Sequence, residues 1–184
     1  RSSAASDVYK RQSNIQAKIA EQMIELVKSM KEEGDSIGGI VTCVCRNVPG
    51  GIGNPSFDKL EALLAHAMMS LPATKGFEIG SGFKSASQFG SKVHDEIGYH
   101  DGKFTRYTNN AGGVEGGMSN AQPIILWMSM KPISTLIKPL RSVDIVTHEE
   151  KNAHKERTDS CAVPAASVVS ESMLCITLVD ALLD

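Results

Sequence analysis

Apolar residues recur every three or four positions in three segments of the chain, which is the spacing of an amphipathic helix. The first segment predicts a helix over 14–33, with Ser13 as its cap and Gly34 as its stop. The second helix is predicted to begin after Ser56, and the third near Pro164, a residue suited to a first helical turn. The positions expected to face the core are Ile15, Ile19, Met23, Val27 and Met30 in the first helix, Phe57, Leu60, Leu64 and Met68 in the second, and Val169, Met173, Ile176, Val179 and Leu183 in the third.

Short segments rich in β-branched or apolar residues predict the strands, at 37–45, 76–79, 124–130 and 143–147. The run 124–130 is nearly unbroken, which is typical of a strand buried on both faces. The stretch 82–113 is polar and without periodicity, so we expect a long loop that contains a hairpin and acts as a flap around a ligand. The predicted fold class is α+β, with helices packed against mostly antiparallel strands.

Residues 1–12 show no apolar periodicity, and we interpret them as a tail or a non-native scar outside a domain formed by residues 13–184. The length of 184 residues suits one domain, and the net charge of −2 offers no electrostatic footprint for nucleic acid. No signal peptide is recognised, and no apolar run is expected to be long enough to cross a membrane. These features predict a cytoplasmic protein with neither a membrane nor a nucleic acid as its partner.

The four cysteines, Cys43, Cys45, Cys161 and Cys175, lack the spacing of a metal site, and we expect free thiols. Cys43 and Cys45 are expected to point to opposite faces of one strand. Five further side chains that can bind metals have a spacing that fits no standard site, so we predict a solvated loop and no metal. These five are His94, Asp95, Glu96, His100 and Asp101.

Three segments carry residue types that suit a phosphate-bearing ligand. The segment 112–120 is rich in glycine, which lets a backbone approach a ligand closely, although an ordinary tight turn is the simpler interpretation. The segment 131–135 places a lysine beside two hydroxyls at a proline bend, and a surface turn with a solvated lysine fits it equally. Arg157 and Asp159 supply a fixed cation and a carboxylate that can accept a proton, or simply a surface ion pair.

Taken in order along the chain, these segments resemble the C-terminal part of chorismate synthase. The resemblance covers about 13–184, and Thr158 departs from it where the family usually has serine, histidine or phenylalanine. Threonine keeps a hydroxyl at that position. The matching stretches are GDSIGGIVTCVCRNVPGGIGNPSFDKLEALLAHAMMSLPATKGFEIGSGF, GSKVHDEI, FTRYTNNAGGVEGGMSNAQPI, MKPISTLIKPLRSVDIVT and RTDSCAVPAASVVSESM.

The resemblance implies a lyase of the shikimate pathway, which serves aromatic amino acid biosynthesis. The family converts 5-enolpyruvylshikimate 3-phosphate to chorismate and phosphate by an anti 1,4-elimination that needs reduced FMN. It also implies a cytoplasmic homotetramer, and it leaves open whether NADPH or an outside source reduces the flavin. Asp159 is expected to assist proton transfer, and Pro72 is an unusual contact because it has no N–H. The expected flavin contacts are Pro72, Ala73, Gly116, Lys131, Pro132, Ile133, Ser134, Thr135 and Arg157.

The family enzyme is longer than this chain, and its N-terminal half supplies two catalytic histidines and most of the arginines that bind the substrate. This chain alone is therefore expected to show little or no turnover. Two alternatives stay open at this point. The chain could be a piece that binds flavin without catalysis, or a purely structural piece that keeps only subunit contacts.

Overall fold

A computed structural model describes the backbone of residues 3–156 and 159–184, and the side chains from residue 17 onward within those ranges. The described residues form two compact units. We call Arg1–Ile37 with Pro132–Ala162 the α1 unit, and Gly38–Lys131 with Val163–Asp184 the sheet unit. In chain order the elements are α1 Ser3–Glu33, β1 Gly39–Cys45, α2 Leu60–Met69, β2 Thr74–Ile79, α3 Gly82–Ser85, α4 Gly90–Val93, β3 Ile97–His100, β4 Lys103–Arg106, β5 Val114–Glu115, β6 Met118–Ser119, β7 Ile124–Met130, β8 Arg141–Val143, β9 Glu150–Asn152 and α5 Val163–Leu183.

The sheet unit is built on a three-stranded antiparallel sheet in the order β1-β7-β2. Helix α2 packs against β2, and helix α5 packs against β1 and α2. Alternate residues of β7 are buried, whereas those between them are half-buried, so the prediction of a strand buried on both faces holds for one face only. The core of this unit includes Leu60, Leu64, Met68, Ile124, Leu126 and Met128, all 0% exposed.

Every strand pair in the described residues is antiparallel, and three of the pairs are two-stranded hairpins: β3–β4, β5–β6 and β8–β9. The predicted α+β class, with helices on antiparallel strands, is confirmed. The hairpin expected within 82–113 is β3–β4.

Helix α1 starts earlier than the sequence pattern indicates. It begins at Ser3 and runs through Ser13, the residue predicted to cap it. Neither proline nor glycine occurs between Ser3 and Ser13, so nothing in the sequence ends the helix there. The apolar positions of α1 that are expected to face the core are not all buried, since Ile19 and Met23 are exposed.

The start of α2 is set by a contact from a distant part of the chain. Ser56 does not cap the helix, and Phe57 is 98% exposed instead of joining the core. The N–H of Leu60 donates a hydrogen bond to the carbonyl of Gly117 at 2.8 Å. This contact between segments far apart in sequence satisfies a donor at the helix start, which is why local capping rules place the start wrongly.

The strand predicted over 143–147 is wrong beyond its first residue. The carboxylate of Asp144 accepts hydrogen bonds from the N–H groups of Val146 at 2.9 Å and Thr147 at 3.1 Å. An aspartate that binds the backbone two and three residues ahead stabilises a turn. Strand β8 therefore ends at Val143, and the turn leads into β9.

Helix α5 begins beside Pro164 as predicted, but the stripe predicted to face the core is wrong. Apolar residues surround this helix almost completely, so periodicity does not identify its inner face. By length and composition α5 could also cross a membrane, contrary to the expectation for this chain, although the same features belong to core helices. The residues of α5 that are buried are Ala166, Ser170, Leu174 and Leu178.

All four cysteines are free thiols, as predicted. The expectation that Cys43 and Cys45 point to opposite faces of β1 is wrong, because side chains two residues apart on a strand share a face. Cys43 is buried on the side of Val41, and Cys45 follows it in the same alternation. Burial raises the pKa of both thiols, which disfavours their reactive thiolate forms.

Candidate functional site

The glycine-rich segment folds as the tight hairpin of β5 and β6, with Gly116 and Gly117 at its tip. Both glycines have positive φ, +60° and +88°. A Cβ on Gly117 would lie 3.1 Å from the Cα of Pro55 and would clash with the carbonyl oxygen of Asn54. A Cβ on Gly116 would meet no atom within 4 Å. Gly117 is therefore required by packing, whereas Gly116 borders open space that a ligand could enter.

A second loop, residues 48–55, lies against this hairpin. The hydroxyl of Ser119 donates to the carbonyl of Pro49 at 2.5 Å and accepts from the N–H of Ile52 at 2.9 Å. The backbone of Ser119 also exchanges hydrogen bonds with Ile52 and Gly51, at 2.9 and 2.8 Å. These contacts fix the second strand of the hairpin to this loop.

Three of the predicted flavin contacts meet in the sheet unit beside β2. The N–H of Lys131 donates to the carbonyl of Ala73 at 2.9 Å, and the Lys131 side chain is exposed. Ala73 has a φ of +68°, a conformation that costs a non-glycine residue about 1–3 kcal/mol. Pro72 precedes it and is exposed. A backbone held in this conformation beside an exposed cation is compatible with close approach of an anionic ligand.

The remaining predicted contacts belong to the α1 unit, except Arg157, which lies outside the described residues. The carbonyl of Ile133 accepts a hydrogen bond from the hydroxyl of Ser36 at 2.6 Å, while Pro132 and Ser134 are exposed and Thr135 is half-buried. Asp159 is exposed. Ile133 and Asp159 line one open cleft of about 740 Å³. Its lining residues are Val27, Lys31, Ile133, Ile137, Asp159, Ser160 and Cys161.

No sequence motif marks Lys31 of helix α1, yet it lines this cleft with Asp159. A lysine on a helix of mixed polarity is an ordinary surface residue by pattern alone. The fold places it in the lining of the same cleft as the carboxylate predicted to assist proton transfer. The cleft thus contains a cation and a carboxylate next to apolar walls, which suits a ligand with both a charged and a flat part.

Asp95 was interpreted as part of a solvated loop, and the structure corrects this. Its carboxylate accepts hydrogen bonds from the N–H groups of Asn110 at 2.7 Å and Ala111 at 2.9 Å, and from the hydroxyl of Thr108 at 2.5 Å. Burial acts to raise the pKa of Asp95, but these hydrogen bonds and the charge of Arg106 outweigh it and hold the pKa below its usual range. Asp95 therefore fixes the chain that leads into the glycine-rich segment.

A second open cleft, of about 700 Å³, lies within the sheet unit and includes Glu61, Glu78, Asp95 and Glu115 in its lining. One carboxylate oxygen of Glu61 is buried without a hydrogen-bond partner in the described part of the chain. Among the described residues no group of three or more histidine, cysteine, aspartate or glutamate side chains is placed to hold a metal ion.

Comparison with known proteins identifies the family. The chorismate synthase family model matches residues 3–183 of the chain. The chorismate synthase of Aquifex aeolicus is 53% identical over 167 residues, which are 89% of this chain and 42% of that enzyme. The chain belongs to the chorismate synthase family. The resemblance in its motifs is thereby confirmed.

Two further chorismate synthases support the same assignment. Chorismate synthase 2 of Bacillus cereus is 53% identical over 169 residues, 90% of this chain and 43% of that protein. A crystal structure of chorismate synthase superposes with a TM-score of 0.71 at 41% identity, covering 89% of this chain and 42% of that one. The chain thus spans less than half the length of the relatives it matches. Family membership makes it part of a lyase family and implies the shikimate pathway and amino-acid biosynthesis.

Proposed function

We propose that this chain is part of a chorismate synthase that converts 5-enolpyruvylshikimate 3-phosphate to chorismate and phosphate with reduced FMN. The observation that carries this proposal is the 53% identity with the Aquifex aeolicus enzyme over 167 residues. A cytoplasmic location, a homotetrameric assembly and reduction of the flavin by NADPH or by an outside source belong to the same proposal.

The residues present fit FMN as a ligand. Lys131 offers an exposed cation, and the segment that follows it adds the hydroxyls of Ser134 and Thr135, which suit a phosphate. Gly116 offers backbone next to open space, which suits the close approach of a flat ring. Reduced FMN, when bound, supplies the electron density that helps the substrate phosphate to leave.

The protein's own chemistry in this proposal centres on Asp159. Its exposed carboxylate lines the cleft of the α1 unit and can hold a proton there. Arg157, two residues earlier, is proposed to bind the flavin phosphate through its guanidinium. The two histidines that the family uses match no segment of this chain, so turnover is proposed to require the rest of the enzyme.

A titration of the 184-residue chain with FMN tests the proposal. Arg157→Ala is expected to weaken FMN binding about tenfold or more, because one charge-assisted contact to phosphate is lost. Arg141→Ala, which changes an exposed arginine on β8, is the matched control and is expected to leave the affinity unchanged. Equal affinities for both variants would contradict the role of Arg157, and no FMN binding by the unaltered chain would favour the purely structural alternative.

A further inference from the structure

The segment that leads into the glycine-rich turn is held from the side by the β3–β4 hairpin. Asp95 lies two residues before the start of this hairpin. Its one carboxylate binds two consecutive backbone N–H groups, those of Asn110 and Ala111, together with the hydroxyl of Thr108. Hydrogen bonds to a charged acceptor are roughly twice as strong as neutral ones. Asp95 therefore fixes the direction in which the chain enters the turn.

The second strand of the same hairpin fixes the turn itself. Arg106, the last residue of β4, forms an ion pair with Glu115, with Nη2 and Oε2 2.6 Å apart and a second contact of 3.3 Å between Nη1 and Oε1. Glu115 also accepts a hydrogen bond from the side chain of Asn120 at 2.8 Å. Glu115 directly precedes Gly116. The bidentate ion pair with Arg106 therefore sets the position of Gly116, the residue predicted to contact the flavin.

Within the same segment, Asn109 ties the chain to the residue that precedes β7. Its side-chain nitrogen donates to the carbonyl of Pro123 at 2.8 Å, and its oxygen accepts from the N–H of Gly113 at 2.9 Å. The segment 108–115 is therefore braced on two sides. A Cβ added to Gly116 would meet no atom within 4 Å. The braced turn therefore borders open space at Gly116.

The hairpin itself adds little to the core. Its large apolar side chains, Ile97, Tyr99 and Phe104, are all exposed, and Phe104 is 80% exposed. The rings of Tyr99 and Phe104 contact each other in a tilted arrangement, with centroids 5.0 Å apart. Of the partly buried groups at its base, Asp95 contacts the residues that lead into the glycine-rich segment, and Arg106 contacts Glu115 within that segment. Bracing this stretch of chain is therefore the structural result of the hairpin.

We propose that Asp95 and Arg106 are positioning residues that hold the glycine-rich turn in the conformation that receives the flavin at Gly116. This inference rests on the proposed function for its ligand. The bracing itself is independent of the proposed function, because its contacts form in the chain without a ligand.

Hydrogen exchange of the 184-residue chain without FMN tests the bracing. Asp95→Asn and Arg106→Gln are expected to speed amide exchange across 108–117 about tenfold, since each removes the charge that strengthens these contacts. The matched controls are Asp144→Asn and Lys151→Gln, which break an exposed ion pair of 2.5 Å in the β8–β9 hairpin. The controls should leave exchange across 108–117 unchanged. Unchanged exchange in Asp95→Asn and Arg106→Gln would overturn the inference.

FMN titration of the same four variants tests the positioning role. We expect about tenfold weaker FMN binding in Asp95→Asn and Arg106→Gln and no change in the controls. Faster exchange with unchanged affinity would overturn the positioning role and leave the proposed function intact. An unaltered chain that binds no FMN would contradict the flavin assignment at Gly116, and the exchange data would still decide whether the hairpin holds the turn.

Discussion

Helices α2 and α5 contact each other in the same unit, yet they differ in how completely this chain surrounds their apolar residues. Leu60, Leu64 and Met68 of α2 are fully buried, and the outward side of α2 carries the small residue Ala62 and the polar His66. The outward side of α5 is apolar, with Ile176 63% exposed. Helix α2 therefore buries its apolar face within this chain, whereas α5 leaves a second apolar face exposed.

The positions of the charged residues of α5 also separate its inner face from its outer face. At 100° per residue, its two charged side chains, Glu171 and Asp180, fall at the two borders between the inner and outer faces. The outer face between them is uncharged and includes Val168, Val169, Ile176, Val179 and Leu183, all exposed. Soluble proteins seldom leave so continuous an apolar surface uncovered. The relatives, of which this chain spans less than half, have further chain that could cover it.

The largest expected effect compares two aliphatic residues of α5 itself. Leu174 is 3% exposed and faces the core, so Leu174→Ala should lower the free energy of unfolding by about 3 kcal/mol. Ile176→Ala, on the outer face, should change it by less than about 0.5 kcal/mol. Urea denaturation of the isolated chain measures both. Similar losses from the two changes would show that the outer face is covered in this chain after all.

A smaller effect is expected from the two glycines at the tip of the hairpin. Gly117→Ala places a methyl group against the backbone of Asn54, whereas Gly116→Ala places it in open space. Both substitutions bear the cost of positive φ, about 1–2 kcal/mol, and only Gly117→Ala adds a steric clash. Thermal unfolding should therefore show a larger loss for Gly117→Ala. The reverse order would mean that the tip is packed differently.

The smallest effect is the pH dependence that Asp95 adds to stability. The pKa of Asp95 is lowered in the folded chain from 3.8, so its stabilisation is present above that value and is lost as pH falls through the lower folded pKa. The difference in free energy of unfolding between the unaltered chain and Asp95→Asn should thus be present at neutral pH and disappear below about pH 4. Denaturation at a series of pH values checks this, and a gap that persists unchanged in acid would contradict the role of the carboxylate.

Local patterns in the sequence predict the parts of the fold that depend on local properties. The apolar run of β7 and the spacing of Leu60, Leu64 and Met68 correctly locate a central strand and a core helix. The order of the motifs identifies the family. The glycines of the turn are visible in composition, but which of them meets open space is a property of the folded chain.

Features that depend on distant residues were not predictable in the same way. The carbonyl of Gly117 sets the start of α2, and Asp95 finds its partners around Asn110, some fifteen residues ahead. The inner face of α5 could not be read from spacing, since apolar residues occupy both of its faces. Each of these depends on tertiary contacts, which override local propensity.

We propose that this chain forms a working portion of a chorismate synthase. The most direct test replaces the matching segment of the Aquifex aeolicus enzyme with residues 13–184 of this chain and measures chorismate formation with reduced FMN. We predict turnover by the chimera, a strong loss in its Asp159→Asn variant, and none from the isolated chain. A folded chimera without turnover, or chorismate formation by the isolated chain, would contradict the account.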